Sequence, residues 1–139
     1  MTYLLDTCVI SEAMKKRPDP DVREWMRSID EELMVISAVS IGEIRKGITS
    51  LGKTRRAACL LKWLAALEER YANRILAYNL TVAETWGDAV AAAEKNGHSR
   101  PVLDSLIAAT ARTDNITLVT RNVADLEYMG VRIFNPWKL

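Results

Sequence analysis

Tyr3-Leu4-Leu5-Asp6-Thr7-Cys8-Val9-Ile10-Ser11-Glu12 runs from an apolar strand pattern, through an acid, into a helix start. The same transition recurs twice. Glu43 follows the apolar run from Leu33 to Ile41, and Asp104 lies within Pro101-Val102-Leu103-Asp104-Ser105-Leu106-Ile107. Carboxylates are seldom fully buried unless they are paired or hold a metal. Two unit charges about 4 Å apart repel by roughly 4 kcal/mol at an effective dielectric of about 20. Convergence of these acids therefore calls for a cation between them, and an all-oxygen donor set suits Mg²⁺ or Mn²⁺.

Outward from these points, apolar strand-like runs alternate with amphipathic helical ones, the pattern of an α/β domain with a mainly parallel sheet. The expected strands are Tyr3-Leu5, Leu33-Ser37, Ile75-Tyr78, Thr117-Thr120 and Arg132-Asn135. A helix is expected soon after Asp6. Pro18 and Pro20 interrupt the chain before a second helix over Asp21 to Ile29. From Arg55 to Arg74, Ala57, Leu60, Leu61, Leu64, Leu67 and Tyr71 share one helical face. Thr81 to Asn96 opens on a Thr81…Glu84 capping box and stops at Gly97. Pro101 suits the first position of a further helix running through Arg112.

The chain of 139 residues has the length of one domain, residues 1–139, with no linker or repeat. Its 49% hydrophobic and 27% charged content is that of an ordinary globular protein. No apolar run reaches the roughly 18 residues of a membrane span, and the strand pattern begins almost at Met1. A cytoplasmic protein with nothing cleaved and no membrane contact is expected. Cys8 and Cys59 form neither a disulfide framework nor a zinc spacing, and both are expected to be buried. A net charge of +1 supplies no global field for a polyanion. Lys15-Lys16-Arg17 and Lys53 with Arg55-Arg56 are the local basic clusters, read either as nucleic-acid contacts or as solvated surface.

In open parallel sheets, ligands bind beyond the carboxyl ends of the strands, near the reversal of strand order. Asp6, Glu43 and Asp104 are each expected at that edge, with open metal positions left for water and a phosphate oxygen. A divalent ion there would lower the pKa of a bound water and offset charge building on phosphorus. Each acid also has a purely structural reading. Asp6 suits the cap of the helix that follows it, Ser40-Ile41-Gly42-Glu43 fits a capping box, and Asp104 complements a helix dipole.

Several chemistries are excluded. His98, in Asn96-Gly97-His98-Ser99-Arg100, is the single histidine, too few for two-histidine acid/base cleavage, and is expected as an exposed loop residue. A Cys8–His98 dyad is a remote option. Aspartyl-phosphate enzymes need a second acid two residues after the first, where this chain has Cys8. A receiver domain needs an acidic pair that Thr2-Tyr3-Leu4-Leu5 lacks, and no Gly-rich phosphate loop appears.

Four blocks, in order and correctly spaced, resemble the PIN-domain family, in particular the VapC-like and FitB-like toxins of bacterial toxin–antitoxin pairs. They are residues 4–12, residues 36–48, Asp104-Ser105-Leu106-Ile107-Ala108-Ala109-Thr110-Ala111, and Leu118-Val119-Thr120-Arg121-Asn122 with Asp125-Leu126, followed by Gly130-Val131 and Asn135-Pro136-Trp137. The resemblance implies a three-layer α/β fold with a central mainly parallel sheet flanked by helices. It also implies an Mg²⁺- or Mn²⁺-dependent endoribonuclease that cleaves RNA. Asp6 and Asp104 would be the principal metal ligands, Glu43 would complete the acidic triad, and Thr7 and Thr120 would hydrogen-bond around the site. A small cognate antitoxin would block the acids, DNA would be reached only through that complex, and homodimers are expected.

The chain departs from the family pattern at two positions. Cys8 stands where Asn is usual, which should change local hydrogen bonding more than metal binding. Asn122 stands where a fourth acid is often found, leaving Asp125 as the nearby carboxylate, so a single strong ion is the safer expectation. Asn122 can still orient a water or donate to a phosphate. The alternative function is a dimerising, non-catalytic half of a DNA-bound toxin–antitoxin complex; a metal-dependent DNA nuclease is weaker still. Trp25, Met26 and Ile29, or Leu60, Leu64 and Leu67, are read as core or as an antitoxin surface, and Trp63, off the main face, is the better interface candidate.

Overall fold

The computed structural model describes residues 1–99 and 101–138, so Arg100 of the turn quoted above lies outside the described residues. Strands β1 (Tyr3–Leu5), β2 (Met34–Ser37), β3 (Ile75–Leu76), β4 (Thr117–Val119) and β5 (Ile133–Phe134) pair in the order β3-β2-β1-β4-β5. Every pair is parallel. The chain moves outward from β1 to β2 and β3, then returns to the other side of β1 for β4 and β5. Strand order therefore reverses between β1 and β4, the position where open α/β sheets bind ligands.

Side chains alternate across the sheet and define its two faces. Leu4, Val35 and Leu118 pack with Ala89, Ile107, Ala108 and Ala111 on one face. Leu5, Ile36 and Val119 pack with Val9, Ile10, Val22 and Trp25 on the other. The helices follow from this. α1 (Thr7–Met14), α2 (Pro20–Ser28) and α4 (Arg55–Arg70) cover the second face, and α5 (Leu80–Lys95) and α6 (Val102–Thr113) the first. α3 (Ala38–Thr49) leaves β2 directly and forms a hairpin with α4 around Ile48, Ala57 and Leu64. A short α7 (Val123–Leu126) follows β4. Fully burying a side chain such as Leu4 or Ile107 contributes about 2–3 kcal/mol.

Several sequence expectations move. The strands are shorter: Leu33 belongs to a 3-10 turn, and Ala77, Tyr78, Thr120, Arg132 and Asn135 fall outside the strand bounds. The second helix begins one residue early because Asp19 caps it and Pro20 occupies a first-turn position, where a missing N–H costs nothing. The Thr81…Glu84 capping box is not formed. Asn79 accepts from the Val82 amide at 3.0 Å, and Asn is the stronger cap. Pro101 itself stands at the cap position of α6, so that helix starts at Val102. Gly97 does end α5, at φ +80°, where a residue without Cβ is favoured.

Side-chain placements move too. Leu61 is exposed, whereas Trp63 packs against two of the core clusters. Cys59 is exposed rather than buried, and Cys8 is half-buried. His98 is half-buried as well, because its ring stacks on Tyr128 with centroids 3.5 Å apart.

Candidate active site at the carboxyl edge of the sheet

Asp6 occupies the reversal point. Its amide donates to the Val119 carbonyl at 2.9 Å, which continues the β1–β4 ladder by one residue, and its own backbone then leaves the sheet to cap α1. The side chain is 2% exposed and held at both oxygens. Oδ1 accepts from the Thr7 amide at 2.8 Å, and Oδ2 accepts from Thr120 Oγ1 at 2.7 Å. The Cys8 thiol lies 3.6 Å from the same Oδ2. The helix-cap reading is thus correct for one oxygen and silent about the other.

Thr120 Oγ1 also accepts the Asn122 amide at 3.0 Å, so one buried hydroxyl braces Asp6 against the loop after β4. Asn122 therefore meets this network through its backbone. Thr7 Oγ1 donates to Ser40 Oγ at 2.9 Å and ties the first turn of α1 to α3. Ser40 did not emerge as a site residue from the sequence. Its i, i+3 spacing from Glu43 suggested a capping box, yet the same spacing puts both residues on one helix face.

The cap of α3 is Ser37, whose Oγ accepts from the Val39 amide at 3.0 Å. Glu43 is consequently in the second turn, where it has no helix end to satisfy. Its Oε1 is buried without a hydrogen-bond partner. An unpaired buried acceptor costs about 1–3 kcal/mol, and more when charged, so such an atom marks a place for a donor or a cation.

Asp104 stands in the first turn of α6. Its pKa rises from 3.8 to about 6, chiefly through burial and then through the charges of Asp6, Glu43 and Asp125. Every one of these influences pushes upward, so Asp104 lies in the field of the other three carboxylates, with no compensating cation among the described residues. Asp125, exposed on α7, belongs to the outer side of that field. Ser105, next to Asp104, accepts from the Trp86 indole at 2.9 Å and donates to the Val102 carbonyl at 2.7 Å, which fixes the turn carrying the acid.

The Cys8 thiol is pushed up to about 11 by burial and by Asp6, so it remains protonated near neutrality. A half-buried thiol held against Asp6 and Thr120 is a poor nucleophile. Among the described residues, the acids do not form a ready-closed group of three metal-ligating side chains. Carboxylate torsions turn easily while the elements that carry these acids do not, and the Glu43 oxygen is left without a partner. Hard oxygen donors brought together in excess of positive charge fit a hard divalent cation.

The PIN domain family profile matches residues 3–127. This chain belongs to the PIN-domain family. The PIN-domain chain is 32% identical over 135 residues to Toxin FitB of Neisseria gonorrhoeae, covering 96% of this chain and 97% of that one. It is 31% identical over 136 residues to the VapC ribonuclease Y4jK of Sinorhizobium fredii, covering 97% of each. A solved structure of FitAB bound to an IR36 DNA fragment contains a chain that superposes with a TM-score of 0.93 at 31% identity, covering 99% of this chain and 97% of that one. The three-layer parallel fold expected from the sequence is that of the family. Among the described residues of this PIN-domain protein, no helix is long and apolar enough to cross a membrane.

Proposed function

We propose that this PIN-domain protein is a metal-dependent endoribonuclease and the toxin of a type II toxin–antitoxin pair, folded as one nuclease domain over residues 1–139 and acting in the cytoplasm. The observation that carries the chemistry is the unpartnered Glu43 Oε1, together with Asp104, whose pKa is raised by burial and then by Asp6, Glu43 and Asp125. The likeness to a VapC ribonuclease and to Toxin FitB supports the substrate class and the biological role.

In this reading, Asp6, Glu43 and Asp104 hold Mg²⁺ or Mn²⁺. Bound there, the ion supplies an acidified water and offsets charge on the scissile phosphate. Thr120 Oγ1 and the Thr7 amide hold Asp6 in position, and the Thr7–Ser40 contact keeps α3, with Glu43, against α1. Asn122 orients water or the phosphate without adding charge, and Asp125 strengthens the field at Asp104.

The antitoxin partner is supported by an apolar cavity of about 490 Å³ between α1, α2 and α4, lined by Ile10, Val22, Met26, Ile29, Trp63 and Leu67. Trp63, part of the core clusters, also presents a face to this cavity. DNA is reached through the assembled complex, in keeping with the DNA-bound FitAB relative; in the same reading the toxin is a homodimer. That DNA-bound relative also favours a second reading, in which the chain is the non-catalytic half of a regulatory complex.

The readings separate on RNA cleavage by purified protein loaded with Mg²⁺ or Mn²⁺. Loss of groups that merely support metal ligands costs about 10–100-fold, so Asp6→Asn and Asp104→Asn are expected to slow cleavage more than about 100-fold. Undiminished cleavage by both variants, in a preparation free of contaminating nuclease, would sink the proposal.

A further inference from the structure

Two basic runs far apart in sequence meet at the end of α1. Lys15 and Lys16 follow its last residue, Met14, and Arg55 and Arg56 open α4. With Met14, Cys59 and Leu60 they line a cavity of about 770 Å³. The whole chain carries a net charge of only +1, so this cluster is a local segregation of charge, not part of a general basic surface. Lys15 is paired with Glu12 at 3.0 Å. Among the described residues, no carboxylate forms an ion pair with Lys16, Arg55 or Arg56.

α1 joins this cluster to the acids. Asp6 caps its amino end and the cations stand at its carboxyl end. The eight residues of Thr7–Met14 span about 12 Å at roughly 1.5 Å per residue. A polyanionic substrate faces a difficulty here: its reacting phosphate must approach four carboxylates, and the net charge of the chain offers no attraction to offset that approach. A neighbouring cationic anchor removes the difficulty. The reach of α1 corresponds to a few phosphates along a nucleic-acid strand.

We infer that the Lys15–Lys16/Arg55–Arg56 cavity is an RNA-backbone subsite that holds phosphates a few nucleotides from the cleaved bond. The inference rests on the nuclease reading of the acid cluster. It predicts that cleavage becomes more efficient as the substrate lengthens, because an RNA with a single phosphate cannot reach both ends of α1.

The experiment compares the protein with a variant combining Lys16→Ala, Arg55→Ala and Arg56→Ala, each made with and without Asp104→Asn to keep RNA intact during binding. Anisotropy of a labelled single-stranded RNA, measured across salt concentrations, is expected to give about tenfold weaker binding. The logarithmic salt slope should fall by about 2, since each single-strand phosphate contact contributes about 0.7. Cleavage of a dinucleotide should keep its rate, while kcat/KM on a longer RNA falls about tenfold. A second variant, Arg55→Lys with Arg56→Lys, should bind as the unmodified protein does, separating charge from folding. Equal RNA affinity and salt slope with and without the three cations would overturn the subsite, as would weakened antitoxin binding with RNA binding unchanged, which would assign the cavity to an acidic protein segment. Failure of the nuclease reading looks different: the unmodified protein would leave RNA intact with either metal, while the contrast in RNA binding persisted.

Discussion

The two sides of the acid cluster are built differently. On the sheet side, Asp6 is held at both oxygens by Thr7 and Thr120, at a point where the β1–β4 ladder fixes the backbone. On the helix side, Glu43 has a buried oxygen with no partner, and Asp104 is pushed toward protonation by burial and by its neighbours. One half of the site is satisfied by the protein alone, and the other half is left to be satisfied by something positive. A folded protein tolerates this arrangement because the cost of gathering carboxylates is recovered when a cation binds.

After loss of the acids themselves, removing the support on the satisfied side gives the largest expected effect. Thr120→Val deletes the bond to Asp6 Oδ2 and the acceptor for the Asn122 amide. Loss of such an outer support costs about 10–100-fold in metal affinity or activity. Titration calorimetry with Mn²⁺ alongside an RNA cleavage assay would measure it, and a loss under about threefold would show that the two sides are not built differently after all.

The unsatisfied side should declare itself through pH. If Asp104 is a ligand, as proposed, metal binding displaces its proton below about pH 6, so affinity should rise about tenfold per pH unit up to that point and level off above it. Mn²⁺ affinity measured from pH 5 to pH 8 provides the curve; a flat profile would remove Asp104 from the site.

The same group sets a smaller stability effect in the metal-free protein. The folded pKa of Asp104, about 6, lies above its ordinary 3.8, so its contribution is fully present below pH 3.8 and is lost as pH rises through 6. Asp104→Asn should therefore stabilise the metal-free protein at pH 7–8, by on the order of 1 kcal/mol after discounting for solvent screening. The gain should shrink toward zero at about pH 4. Thermal melts at both pH values in the presence of a chelator test this, and destabilisation at pH 7–8 would contradict it.

The smallest effect concerns the cysteines. With its thiol near 11 and half-buried, Cys8 should resist iodoacetamide at pH 7.5, while exposed Cys59 reacts. Cys8→Ser should change stability by less than about 1 kcal/mol, because only two long thiol contacts, to Asp6 and to Thr120, are altered. Mass spectrometry of labelled peptides reads the first, and a melt reads the second. Faster labelling of Cys8 would mean that the sheet side of the site is more open than its burial implies.

Glu43 shows why the helix side was harder to read than the sheet side. Asp6 follows a short apolar run and precedes a helix start, so its place at a strand end is written locally. Glu43 comes after Ser40 at a spacing that two structures share, a capping box or one face of a helix interior. The choice depends on where α3 begins, and β2 runs into that helix without a loop, so that Ser37 takes the cap. The Thr81…Glu84 pattern failed for the same kind of reason, since Asn79, two residues earlier, competes for the cap. Cap motifs name candidates, and competition among neighbours selects one.

The order of apolar runs and acids determined, by itself, the parallel α/β class, the elements that deliver Asp6, Glu43 and Asp104, and the family to which the chain belongs. Those are consequences of short-range periodicity, which a linear reading preserves. Tertiary structure alone decided that Thr120 reaches Asp6 across 114 positions, that Ser40 meets Thr7, that Glu43 keeps an unpaired oxygen, and that two distant basic runs line one cavity. These are contacts between elements whose distances are set by sheet order and helix packing, and no local pattern of residues encodes them.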